Sequence, residues 1–130
     1  MPHEPIPENL DNAGKQIVDS AFKVHQALGP GLLESVYEEC LVYELGKRGL
    51  TVERQKEIPI QYDGETLSTR LKIDVLVENG IVIELKAVEA MLPLYQAQIL
   101  TYLKLTGFRL GYLINFNVPL IKQGIQRFVL

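Results

Sequence analysis

Two short apolar runs, Leu71 to Val77 and Ile81 to Leu85, separated by Glu78-Asn79-Gly80, constrain this chain more than any other stretch. Runs of this length rich in Val, Ile and Leu read as strands, and a Gly-containing break between them reads as a hairpin turn. Alternation expects Leu71, Ile73, Val75 and Val77 on one face, Lys72, Asp74 and Leu76 on the other, and Glu84 sharing a face with Lys86. Where Asp74 falls relative to Glu84 depends on register, because a slip of one residue turns a strand over. A two-residue Asn79-Gly80 turn would set Asp74 opposite Leu85 and mix charge into the core. A three-residue loop with Gly80 left-handed sets Asp74 opposite Glu84 and Ile73 opposite Leu85, and this is the expected register. It places two carboxylates with Cβ atoms about 5 Å apart, where like charges repel unless a proton or a cation intervenes. A divalent metal ion would relieve that repulsion, whereas a half-exposed sheet with salt-bridging charges accounts for an E-x-K pattern alone.

The remaining chain supplies helices on either side of this hairpin. Ile17, Ala21, Val24 and Leu28 recur at helical spacing over about 10–28, with Asn9 or Asp11 available as N-cap, and Gly29-Pro30-Gly31 ends the run. A second helix over about 32–48 carries Leu33, Val36, Tyr37, Cys40, Leu41 and Leu45 on its apolar side and stops near Gly49. Glu34 sits in its first turn, three and four residues from Tyr37 and Glu38, and is either a macrodipole partner or within reach of the sheet. Residues 51–62 alternate as a strand that Pro59 marks as an edge, and Asp63-Gly64 is a hairpin turn expected to pair Ile60 with Leu67. Pro93 opens a third helix that Gly107 ends, and 108–115 reads as a strand buried on both faces, which makes that helix a crossover. Residues 125–130 suit a final strand or an association surface.

Composition narrows the class. A chain of 130 residues, 47% hydrophobic and 22% charged, fits one domain over 9–130 behind a flexible, proline-rich leader over 1–8 that holds His3. A net charge of −3 supplies no global basic field for nucleic acid, so phosphate contacts must be local, and Arg70, Lys72, Lys104 and Arg109 are the candidates. The single cysteine, Cys40, cannot form an internal disulfide and suits a reducing compartment. With no apolar segment near the roughly 20 residues that cross a bilayer, a cytoplasmic protein without membrane attachment is expected.

Taken together, the element order and the Asp74, Glu84 and Lys86 charges resemble the core of the PD-(D/E)xK nuclease superfamily. Gly31-Leu32-Leu33-Glu34-Ser35-Val36-Tyr37 further resembles the motif that names the GxxExxY family, and Gln98-Ile99-Leu100-Thr101-Tyr102 looks like the Q-x-x-x-Y helix element of RecB-like members. The resemblance implies an α/β fold, with a mixed sheet of the α+β kind: a restriction-endonuclease-like core with two N-terminal helices, a three-strand antiparallel meander, a crossover helix and a further strand. It implies that Asp74 stands for the D, Glu84 for the D/E and Lys86 for the K, with Ile73 in place of the proline, Glu34 as the extra helix acid, and Gln98 and Tyr102 in support. Asp74, Glu84 and Glu34 would hold Mg²⁺ or Mn²⁺ for hydrolysis of DNA or RNA, and Lys86 would position water and neutralise charge. The alternative is a noncatalytic nucleic-acid or protein interaction module on the same scaffold. His25, at the end of the first helix, is a packed or capping group by default, with a site role as the alternative.

Overall fold

The structure, a computed structural model, describes residues 4–130; His3 and the first part of the expected leader lie outside the described residues. In order come α1 (Glu8–Leu28), α2 (Glu34–Lys47), β1 (Val52–Tyr62), β2 (Glu65–Val77), β3 (Ile81–Lys86), α3 (Pro93–Thr106), β4 (Leu110–Asn115), a 3-10 turn (Ile121–Gly124) and β5 (Ile125–Val129). The strands make one sheet in the order β1-β2-β3-β4-β5, antiparallel throughout except where β3 meets β4. A parallel step needs a crossover connection, and α3 provides it. The last stretch of the chain is strand β5 against β4.

Helices cover both faces of the sheet. Ile17, Ala21 and Val24 of α1 join Tyr37, Leu41 and Leu45 of α2 against Val75, Val77, Ile81, Ile83 and Leu85. On the other face Ile99 and Leu103 of α3 pack on Leu71, Ile73, Leu76, Val82 and Leu113. Being covered on both sides, β4 is buried at every position, which explains why its sequence barely alternates. Each fully buried Leu or Ile contributes roughly 1.5–3 kcal/mol, more than the ~1 kcal/mol of a good helix cap. The helices accordingly tolerate poor caps: α1 starts after Pro7 with no side-chain cap, and Asn9 and Asp11, the expected N-caps, lie inside it. α1 starts at Glu8, the last residue of the expected leader. The described part of that leader is tied down: Ile6 packs on the core, and the Arg109 guanidinium donates to the carbonyls of Glu4 and Pro5.

The Asp63-Gly64 turn forms as expected, with both residues left-handed (φ 52° and 79°) and Tyr62 opposite Glu65. The Ile60–Leu67 pairing does not. Between Gln61 opposite Thr66 and Pro59 opposite Arg70, β1 has one residue and β2 has three. Pro59 has no N–H to give the ladder there, and it sits on an edge strand, where that loss is tolerable.

Candidate active site

The β2–β3 hairpin pairs Val75 with Ile83, Leu76 with Val82 and Val77 with Ile81 across the loop Glu78-Asn79-Gly80, the register expected from the sequence. The left-handed residues, however, are Glu78 and Asn79 (φ 53° and 48°), not Gly80. Gly80 instead faces α1: a Cβ there would come within 2.9 Å of the terminal methyls of Leu10, which would have to shift. The glycine lets the helix lie on the turn.

The expected single face of Leu71, Ile73, Val75 and Val77 is split. Leu71 and Ile73 pack beneath α3, whereas Val75 and Val77 pack beneath α1 and α2. In β1 the same exchange occurs, since Val52 packs on the α1/α2 side and Ile58 and Ile60 on the α3 side. Both strands turn over at one level. Arg54 pairs with Val75 and Lys56 with Ile73, but Gln55 and Asp74 between them are unpaired, and Gln55 has φ 49°. Such paired irregularities bend strands and re-aim side chains, and the side chain re-aimed here is Asp74.

Past Val75 and Ile83 the backbone ladder between β2 and β3 gives way to side chains. The Asp74 N–H donates to Glu84 Oε2 at 2.9 Å, and the Leu85 N–H donates to Asp74 Oδ2 at 2.9 Å. These two bonds bring the acids together at the point where the strands part. Glu84 is buried, and that burial, followed by the Asp74 charge, pushes its pKa up to about 8. Asp74 is raised as well, first by burial and then by the Glu38 charge, against the lowering effects of the Leu85 amide and of Lys86.

Four further expected residues surround the pair. Glu34 is exposed as a residue in the first turn of α2, but partial shielding of its carboxyl and then the Asp74 charge raise its pKa. Lys86 lowers the pKa of all three acids and lies with Nζ 4.4 Å over the Tyr95 ring of α3. From α3, Gln98 Nε2 donates to Tyr102 Oη at 2.8 Å, and the Tyr102 hydroxyl is raised by burial and then by the Glu84 charge. Three residues that the sequence reading did not single out, Glu38, Arg54 and Gln55, complete the surroundings. Glu38 is buried one turn after Glu34; its carboxylate accepts from Arg54 at 2.9 Å and from Gln55 Nε2 at 2.7 Å. The signal available was its i+4 spacing from Glu34, with Arg54-Gln55 entering the next strand.

Other candidates fall outside. His25 Nε2 is 2.8 Å from the Val118 carbonyl at the end of α1, a packed position. The four cations do not form one patch. Arg70 and Lys72 are exposed on the part of β2 that overhangs β3, whereas Arg109 precedes β4 at the opposite end and spends its guanidinium on the carbonyls of Glu4, Pro5 and Leu130.

Among the described residues, no group of three or more His, Cys, Asp or Glu is gathered to hold a metal by itself. The Asp74–Glu84 pair nevertheless suits one hard divalent cation. Each carboxylate gives one oxygen to a backbone amide and keeps a second, oxygen donors match Mg²⁺ or Mn²⁺, and the raised pKa values mark a place where negative charge lacks compensation.

A mixed sheet with an α3-type crossover, and an acid pair followed by a lysine where its third strand ends, defines a restriction-endonuclease-like domain. A family model described as the PD-(D/E)XK nuclease superfamily matches residues 11–128, and the chain belongs to that superfamily. No curated protein and no solved structure gives a match. No helix among the described residues is long and apolar enough to cross a membrane.

Proposed function

We propose that this chain is a metal-dependent nuclease that hydrolyses phosphodiester bonds of DNA or RNA, with Asp74, Glu84 and Lys86 at the reacting centre. The observation that carries this reading is a pair of backbone bonds, Asp74 N–H to Glu84 Oε2 and Leu85 N–H to Asp74 Oδ2, which hold two carboxyl groups at one spot. Asp74 and Glu84 would hold Mg²⁺ or Mn²⁺ with the Leu85 carbonyl, and Glu34 would complete or orient that set. When bound, the ion supplies charge neutralisation at a phosphoryl oxygen and acidifies water. The chain's own part is positional and electrostatic. The amides of Asp74 and Leu85 fix the two carboxylates, Lys86 orients the attacking water and offsets developing negative charge, and Tyr102, held by Gln98, supports the α3 side. The reading resembles what the GxxExxY motif implies.

Calorimetric titration of wild type and Asp74→Ala with Mg²⁺ or Mn²⁺, followed by cleavage assays on single- and double-stranded DNA and RNA, tests it. Binding and cleavage that both require Asp74 uphold the reading. Supporting the alternative, a noncatalytic module that binds nucleic acid or protein, is the fact that Glu34 is not gathered with the pair. Metal binding without turnover on any of these substrates would select that alternative.

A further inference from the structure

Glu34 heads α2, whose N-cap, Leu33, offers no side-chain cap. What places the Glu34 carboxyl is therefore the backbone that launches the helix. That backbone is gripped from two sides. Tyr37 Oη donates to the Gly29 carbonyl at 2.6 Å and accepts from the Leu32 N–H at 3.1 Å, so one hydroxyl closes the loop on both flanks. Asn117 Oδ1 accepts from the Gly31 N–H at 3.1 Å, and Gly31 has φ 100°, a left-handed conformation that disfavours any side chain.

Both grips trace back to the sheet end that carries Lys86. The Tyr37 ring is fully buried and stacks on Phe116, with centroids 4.6 Å apart and planes 7° from parallel. The Phe116 N–H donates to the Lys86 carbonyl at 2.9 Å. Asn115, paired with Lys86 across the parallel ladder, exchanges hydrogen bonds with both the N–H and the carbonyl of Val88 and accepts from the Asn117 N–H. A continuous set of contacts thus joins the end of β3, through the segment after β4, to the loop that carries Glu34.

We infer that Tyr37 and Asn117 are positioning residues that fix the start of α2 and so present Glu34 toward the Asp74–Glu84 pair. The inference rests on the metal-site reading above and extends it to residues that do not touch the ion. It gives the Gly31, Glu34, Tyr37 spacing one physical meaning: the glycine makes the turn, the acid is presented, and the tyrosine three residues on locks the turn that presents it. A tyrosine serving only as core filling needs its ring and not its hydroxyl, so Tyr37→Phe separates the two roles.

The test is Mn²⁺ titration by calorimetry on wild type, Asp74→Ala, Glu34→Gln, Tyr37→Phe, Asn117→Ala and the double variant Glu34→Gln/Tyr37→Phe. Expected is a loss of about tenfold in affinity for Tyr37→Phe and for Asn117→Ala, as when other outer-shell supports of a metal site are removed. In the Glu34→Gln background, Tyr37→Phe has no further effect, because the residue acts through Glu34. Wild-type affinity in Tyr37→Phe and Asn117→Ala, or an equal loss with and without Glu34, overturns the positioning role while the Asp74→Ala result upholds the metal site. Absence of Mn²⁺ binding by wild type overturns the metal-site reading and the inference with it. Should Tyr37→Phe melt early, Asn117→Ala, at a partly exposed residue, carries the same comparison with Glu34→Gln.

Discussion

Three glutamates are almost equally buried, and the fold treats them in two ways. Glu38 and Glu44, at 8% and 9% exposure on α2, each meet cations: Glu38 meets Arg54 at 2.9 Å, and Glu44 meets Lys23 at 3.3 Å and Lys47 at 3.9 Å. Glu84, at 5% on β3, meets another acid and a backbone amide, and its pKa rises to about 8. Burial is common to all three, so burial does not separate them. What separates them is the partner, and a buried carboxyl left beside a second carboxyl is a feature of sites more than of scaffolds.

The sharpest way to break this contrast is to remove one member of the uncompensated pair. Asp74→Ala is expected to lower metal-dependent cleavage on the order of a thousandfold, the scale on which loss of a preorganised charge-stabilising group is felt. Stability near neutral pH should not fall in parallel, since a repulsive neighbour of Glu84 is gone; thermal melts beside the cleavage assay read both. Next comes pH. The folded-state pKa of Glu84 lies above its ordinary 4.5, so between pH 4.5 and about 8 the folded state binds more protons than the unfolded state. Stability from this group is therefore present at low pH and is lost as pH rises through that window, by about 5 kcal/mol at most. Glu84→Gln should flatten that slope in urea melts taken across the window, and saturating Mg²⁺ should reverse it in wild type.

The compensated acids give smaller effects. Arg54→Ala strands the buried Glu38 carboxylate and is expected to cost about 1–2 kcal/mol in urea unfolding, discounted because the Arg54 side chain is 43% exposed. Lys23→Ala should cost below about 0.5 kcal/mol, since its ammonium is over half exposed and Lys47 remains beside Glu44. If Lys23→Ala proved as costly as Arg54→Ala, exposure of the cation would not be what ranks these pairs.

Much of this was legible in the chain itself, and the failures have physical causes. The Asp74–Glu84 register followed from the three-residue turn, because only that register kept apolar residues together. The left-handed residues were misassigned because a glycine in a turn invites the role, while what Gly80 faces is Leu10, some seventy residues away in sequence. The exchange of faces at Gln55 and Asp74 was hidden for a related reason. Leu71, Ile73, Val75 and Val77 alternate without a break, and because both faces are roofed by helices, hydrophobicity cannot record which roof each side chain meets. The scatter of Arg70, Lys72, Lys104 and Arg109 depended on the strand order, which composition does not contain.

The paired irregularity also bears on how such a chain can change over time. Gln55 and Asp74 are the two residues that the β1–β2 ladder steps over, with Arg54 opposite Val75 and Lys56 opposite Ile73 on either side. The acid is thus borne by a link that the pairing does not use, and losing both links together would join two already matched stretches, whereas losing one would throw the outer ribbon out of phase with the inner sheet. A lineage could therefore lose Asp74 and keep the architecture, either by a matched double deletion or by substitution at Asp74 itself.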